Sequence, residues 1–154
     1  MNMPKNNPRE VGAWQGDLPV TSRYTFGLAG ERFYRAIKDE GKLLGTRCNN
    51  CDRTYVPASL FCERCMNELD TWIDVGISGE VHTFTLLYED LDGNRKKNPD
   101  IIAFIRFGDG GLIHRLGEIE QDKVEIGMRV EAVFKGKAER EGSIQDISHF
   151  RPFD

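Results

Sequence analysis

The feature that most constrains this chain is the placement of its four cysteines. All lie between Cys48 and Cys65, reading Cys48-Asn-Asn-Cys51, ten intervening residues, then Cys62-Glu-Arg-Cys65. A gap of two residues lets both sulfurs of a pair turn toward one ion, and two such pairs supply the four thiolates of a tetrahedral zinc. Two disulfides are the competing pairing, and they are disfavoured in a reducing compartment. Met1 to Glu10 is polar and proline-containing with no apolar h-region, so a cytoplasmic location is expected. Iron, alone or in a cluster, stays open as the second choice of metal, because it also accepts four thiolates. Four cysteine ligands leave no position for substrate or activated water, which makes the expected role structural. A segment of roughly 30 residues cannot build a core unaided, so the metal supplies the missing folding energy. The residue after each second cysteine is often glycine, which takes a left-handed conformation without strain. Here those places hold Asp52 and Met66, and Met suits that conformation poorly.

Length and charge narrow the function classes. The chain has 154 residues, suited to one domain with an appended module. No apolar run approaches the ~18 residues of a membrane-spanning helix. The net charge is −4, and it is uneven. Residues 1–74 carry 10 basic and 10 acidic side chains, whereas residues 75–154 carry 11 and 15. An acidic C-terminal half repels phosphate backbones, so neither nucleic acid nor a membrane is an expected partner.

The remaining sequence divides around the cysteines. Residues 1 to about 20 hold Pro4, Pro8, Pro19, Gly12 and Gly16 with little periodicity, and read as an extended arm in which Trp14 stands out. From Gly27 to Gly41, Ala29, Phe33, Ala36 and Ile37 recur at helical spacing, with Gly41 as the stop. Phe33 and Tyr34 are adjacent, so either the apolar face is broad or one aromatic points to a partner or ligand. Glu80 to Tyr88 alternates, placing His82, Phe84, Leu86 and Tyr88 on one strand face, where they line or fill a groove. Glu89 to Asp100 reads as a polar loop, and Ile101 to Phe107 as a strand covered on both sides. Gly108-Asp109-Gly110-Gly111 turns into Leu112 to Leu116, a hairpin. Arg129 to Phe134 is a further strand and Ser143 to Phe150 the last. About five short strands in some eighty residues point to a small barrel.

A short helix with an aromatic pair, then the two cysteine pairs, then a five-stranded barrel resembles the zinc-ribbon plus OB-fold proteins of acyl-CoA metabolism. The residues that carry the likeness include Phe33-Tyr34, Gly41-Lys42-Leu43, the four cysteines, Tyr55-Val56-Pro57 and Trp72. Further along they are Gly79-Glu80-Val81, Pro99 with Ile102-Ala103, Gly117, Gly127 with Val130, and Phe134. The likeness spans roughly residues 25–153. It implies a mainly β protein with an N-terminal α segment: an arm over 1–24, a helical segment over 25–44, a rubredoxin-like zinc ribbon over 45–74 and an OB-fold barrel over 75–154. It further implies an accessory subunit without a catalytic site of its own. Such subunits accompany thiolases and hydroxymethylglutaryl-CoA synthases and help to form or close the partner's acyl-CoA site. The implied cofactors are a structural Zn²⁺ at Cys48, Cys51, Cys62 and Cys65, and coenzyme A or acyl-CoA shared with the partner.

The residues agree that the chemistry lies elsewhere. A thiolase needs a free, activated cysteine and an oxyanion site, yet all four cysteines are committed to metal. His82, His114 and His149 fall in separate strands with no partner implied by local spacing. There is no Gly-x-Ser-x-Gly turn and no GxxxxGK phosphate loop. Coenzyme A would ask for basic groups near its phosphates. Arg95, Lys96 and Lys97 form the only basic triplet, and Lys135 and Lys137, with Arg140, a looser set. These are candidate CoA-phosphate or partner contacts, and Trp14, Phe33 and Tyr34 are candidate aromatic contacts to a partner or ligand. Three functions follow: a subunit of a thiolase-type acyltransferase, an autonomous acyl-CoA or fatty-acyl binder, and a single-stranded nucleic-acid binder. The last is disfavoured by the net negative barrel half.

Overall fold

A computed structural model describes residues 24–90 and 92–153. The arm, including Trp14, therefore lies outside the described residues except for Tyr24. The helix α1 spans Gly27–Glu40, and Gly41 terminates it in the left-handed conformation at φ 66°. The Gly41 and Lys42 N–H groups turn back onto the Ile37 and Ala36 carbonyls, a C-terminal closure that only a residue free of Cβ strain adopts cheaply. Ala29, Phe33, Ala36 and Ile37 form its buried face. The aromatic pair resolves as a broad face. Phe33 is buried, while Tyr34 is half-buried between the rings of Phe33 (5.4 Å) and Phe26 (4.9 Å).

Three short strands follow: β1 (Leu44–Cys48), β2 (Arg53–Tyr55) and β3 (Thr71–Asp74). They form an antiparallel sheet in the order β2-β1-β3. The barrel comprises β4 (Ser78–Glu89), β5 (Arg95–Phe107), β6 (Gly110–Leu116), β7 (Arg129–Phe134) and β8 (Ile147–Pro152). It closes in the order β4-β5-β6-β8-β7, with β6 and β8 parallel and in register at the one pair Leu116↔Phe150, beside which Arg115 Nε donates to the Ser148 carbonyl. That topology is the five-stranded Greek-key closure of an OB-fold. Its core, including Val81, Ile105, Val130, Ile147 and Phe150, is continuous with Phe33 and Ile37 of α1 and with Leu43 and Val56 beside the ribbon sheet. No helix among the described residues is long and apolar enough to cross a membrane.

Four readings of the strands change. Glu89 to Asp100 is not all loop: β4 runs through Glu89 and β5 starts at Arg95, the two pairing Glu89↔Arg95. The register shift between Leu87 and Glu89 loops out part of Lys96–Pro99, which accommodates a proline that cannot donate to the ladder. A two-stranded extension with both faces in water has no apolar alternation, so its composition looks like a loop. Second, a bulge between Val81 and Thr83 shifts the alternation of β4. Val81 is buried, Phe84 and Leu86 pack on the core, and His82 is left on the outside, its ring 5.9 Å from Phe104. His82, Phe84 and Tyr88 thus do not form one groove lining. Third, β8 begins at Ile147. Ser143 instead caps a 3₁₀ turn over Ile144–Asp146, its hydroxyl accepting the Gln145 N–H. The run Ile101 to Phe107 is buried on alternate residues, with Arg106 exposed, rather than covered on both sides.

The ribbon is fastened to the barrel at the tight turn between β5 and β6. Gly108, at φ 63°, makes a two-residue turn, and Gly110 lies so close to β2 that a Cβ there would sit 2.4 Å from the Val56 nitrogen. The Gly111 N–H reaches the Val56 carbonyl at 3.0 Å, and the Asp109 carboxylate accepts the Thr54 N–H at 3.1 Å.

Candidate metal centre

Cys48 ends β1, Cys51 follows in the turn to β2, and Cys62 and Cys65 occupy a second knuckle before β3. Their four Sγ atoms lie within 4.8 Å of one another. Cys48 and Cys65 are 3.6 Å apart at sulfur, far beyond the ~2.05 Å of a disulfide. A tetrahedron with Zn–S bonds of about 2.3 Å has edges of about 3.8 Å, so the donor set fits zinc. Bound there, zinc supplies folding energy and a fixed crossing of the two knuckles, with all four of its positions taken by protein.

The chain prepares those sulfurs. Both residues that follow a second cysteine adopt the left-handed backbone, Asp52 at φ 53° and Met66 at φ 61°. Asp52 pairs with Arg47, which offsets part of the strain; the Met66 side chain is 74% exposed. The Cys51 N–H donates to the Cys48 sulfur at 3.4 Å. The Tyr55 hydroxyl sits 3.1 Å from the Cys62 sulfur and holds that thiol down to about 6, against burial, which pushes it up. The Asn67 N–H lowers Cys65, again against burial. Cys51 is pushed up to about 12 by its hydrogen bond to Cys65 and then by burial. Cys48, Cys62 and Leu69 are the only fully buried members of this small cluster, with Cys51, Tyr55 and Cys65 packed around them.

The other sequence candidates do not converge on one place. Arg95 lies 3.6 Å from Glu89 and Lys96 pairs with Asp100, both on the hairpin extension, beside an exposed Lys97. Lys135 shares a groove of about 450 Å³ with His114 and Arg115 of β6 and Ile147 and Ser148 of β8, and Lys137 is exposed. Arg140 is structural: it donates to the Lys135 and Ile37 carbonyls and lies over the Phe134 ring. Tyr34 lines a groove of about 710 Å³ at the start of α1. Tyr24, Phe26 and Leu28 border the same groove, 89%, 68% and 72% exposed, and were not singled out by the sequence pattern. Their signal was available: three large apolar residues outside the helical repeat, just ahead of its buried stripe.

The histidines find partners that local spacing does not show. His149 Nε2 is 2.9 Å from Glu118 Oε1 and its Nδ1 is 3.1 Å from the Ser148 hydroxyl. The ring lies flat against Gly117, where a Cβ would approach it to 2.5 Å, so this line of groups packs the β6–β7 connection onto β8. His114 Nε2 faces the Ile144 carbonyl at 3.3 Å, and burial lowers its basicity.

Known proteins give the same architecture. A family model described as "ChsH2, rubredoxin-like zinc ribbon domain" matches residues 35–68, and "ChsH2, C-terminal OB-fold domain" matches residues 72–135. A DUF35 domain-containing scaffold protein of Methanocaldococcus jannaschii is 32% identical over 106 residues, covering 68% of this chain and 75% of that protein. One from Methanothermobacter thermautotrophicus is 26% identical over 127 residues, 79% of this chain and 94% of its own. A solved DUF35 protein of unknown function from Sulfolobus solfataricus superposes with a TM-score of 0.62 at 27% identity, over 82% of this chain and 84% of that one. The fold also matches a chain of the Ltp2-ChsH2(DUF35) aldolase, with a TM-score of 0.59 at 22% identity over 84% and 98%. With its zinc-ribbon cysteine cluster, its OB barrel and a relative above 30% identity along most of its length, this chain belongs to the DUF35 family.

Proposed function

We propose that this chain is a non-catalytic, zinc-stapled accessory subunit that binds a thiolase-type acyl-CoA acyltransferase and helps form its acyl-CoA site. The observation that carries this reading is the apolar border of the groove at the start of α1. Tyr24, Phe26 and Leu28 face solvent, although aromatic and aliphatic side chains of that size favour burial. Aromatic residues grouped on one exposed face are what a protein partner uses as anchors. The name scaffold protein carried by the two archaeal relatives supports a binding role. Coenzyme A enters as the partner's ligand. Of the basic side chains considered for its phosphates, Arg95 and Lys96 are engaged by Glu89 and Asp100, which leaves Lys97, Lys135 and Lys137 as contacts to test. The four thiolates call for a reducing compartment, consistent with the cytoplasm.

The test is affinity capture of the full chain from its native extract, with mass spectrometry of what co-purifies. A thiolase-like enzyme in stoichiometric amount is the expected result, and Leu28→Glu combined with Phe26→Glu is expected to weaken its retention at least tenfold. If the chain is recovered alone, or the thiolase is stable and fully active without it, the reading fails.

A further inference from the structure

The Tyr55 hydroxyl stands closer to a cysteine sulfur than any surface tyrosine has reason to. Its oxygen is 3.1 Å from Cys62 Sγ and also 3.1 Å from the Glu63 backbone nitrogen, which donates to it. A metal-bound thiolate has no proton to give, so the contact with sulfur must run from the phenol to Cys62. The position is set by the backbone on both sides. Tyr55 pairs with Thr46 across the ribbon sheet, and the next residue, Val56, is held by the β5–β6 turn through the Gly111 N–H and by the close approach of Gly110. Its ring packs in the cysteine cluster rather than in solvent. The hydroxyl is thus delivered to one sulfur of the four by a strand that the barrel itself anchors.

Resting on the zinc reading of the four cysteines, we infer that Tyr55 belongs to the metal centre as an outer donor, stabilising the Cys62 thiolate and making it the least reactive of the four sulfurs. Four thiolates around Zn²⁺ carry a net charge of −2, concentrated on sulfur. An O–H pointed at one of them spreads that charge, lowers the electron density open to an electrophile, and orients the ligand. Cys62 and Cys48 are both fully buried, whereas Cys51 and Cys65 are half-exposed. Attack on the centre therefore begins at Cys51 and Cys65, reaches Cys48 next and Cys62 last, because only Cys62 combines burial with the phenol.

The experiment uses the full-length, zinc-loaded chain with its Tyr55→Phe variant, and Tyr34→Phe as a hydroxyl deletion away from the metal. Wild type is first assayed for bound metal. Zinc transfer to a chromogenic chelator is expected to be roughly 10-fold faster in Tyr55→Phe and unchanged in Tyr34→Phe. In the cobalt-substituted proteins the sulfur-to-cobalt charge-transfer band is expected to move to lower energy in Tyr55→Phe, a change that a purely packing role does not produce. Equal transfer rates and superimposable cobalt spectra overturn the inference while leaving the zinc site intact. A wild type that binds no metal overturns both. Should Tyr55→Phe not fold, peptide mapping of wild-type protein during alkylation by N-ethylmaleimide decides the matter: Cys62 is expected last, and modification of Cys62 together with or before Cys48 overturns the inference.

Discussion

The ribbon and the barrel are neighbours in one small chain but are held by different forces. The barrel and α1 share a continuous apolar core in which Phe33, Ile37, Ile105, Val130 and Phe150 are sealed from water. Apart from Val56, which joins the barrel core, the ribbon's buried apolar side chains are Leu69 and two cysteines, so burial alone contributes little there. Its three strands stay together because the sulfurs at their turns converge on one point. The difference teaches that substitutions should act by different rules on either side of the Val56 junction: volume decides in the barrel, and ligand chemistry decides in the ribbon.

The largest effect that would sharpen this contrast is metal removal. Chelation, or Cys48→Ser, is expected to raise hydrogen exchange of the β1–β3 amides on the order of 10³-fold, with much smaller changes in β5 and β6. Uniform exchange across the molecule would show that the two parts unfold as one, and the contrast would fail. Phe150→Ala is the complementary change. It should cost about 3–5 kcal/mol in a chemical denaturation series and leave zinc stoichiometry at its starting value. Loss of metal in that variant would break the comparison from the other side.

The Asp146 carboxylate supplies a third probe, on the barrel side. Asp146 is buried, and although burial pushes its carboxyl up, the N–H groups of Glu141, Gly142 and Ser143 together outweigh that and hold it below the ordinary value. A depressed carboxyl contributes stability that is present above its unfolded value near 4 and lost as pH falls through the folded value. Asp146→Asn should therefore destabilise by roughly 1–3 kcal/mol at neutral pH and flatten the loss of stability below about pH 4. An unchanged acid limb would remove Asp146 from the account. The smallest effect belongs to the knuckle. Met66→Gly relieves a left-handed backbone at an exposed side chain and is expected to stabilise the metal-bound ribbon by about 1 kcal/mol, read as slower zinc release. Faster release would show that the Met66 side chain contributes something that glycine cannot.

The same contrast explains what could be read in advance. Cysteine spacing is local, so the metal site, its position and even the awkward Asp52 and Met66 knuckles were visible in the sequence. The helix was visible for a similar reason: Ala29, Phe33, Ala36 and Ile37 recur within a few turns. What escaped depends on partners distant along the chain. His149 meets Glu118 thirty-one positions away, and Asp109 reaches Thr54 across fifty-five. The β4 bulge at His82 is fixed by the opposing strand, not by its own residues, so strict alternation misplaced the side chain. Tyr55 stood among the residues carrying the family likeness, but only the folded β2 shows that its hydroxyl points to sulfur.

The single Leu116–Phe150 bridge also bears on how the molecule is made. During synthesis β6 leaves the ribosome 34 residues ahead of its neighbour β8, an interval of roughly 2–7 s at ordinary elongation rates of about 5–20 residues per second. Through that interval β6 has an unpaired backbone edge, later joined by that of β7, and the centre of the core still lacks Phe150. The nascent chain is then an open sheet able to pair with another copy of itself. The metal-bound knuckles and α1 have emerged by this stage, so the ribbon is in place to restrain the β5–β6 turn while the barrel waits for its final strand.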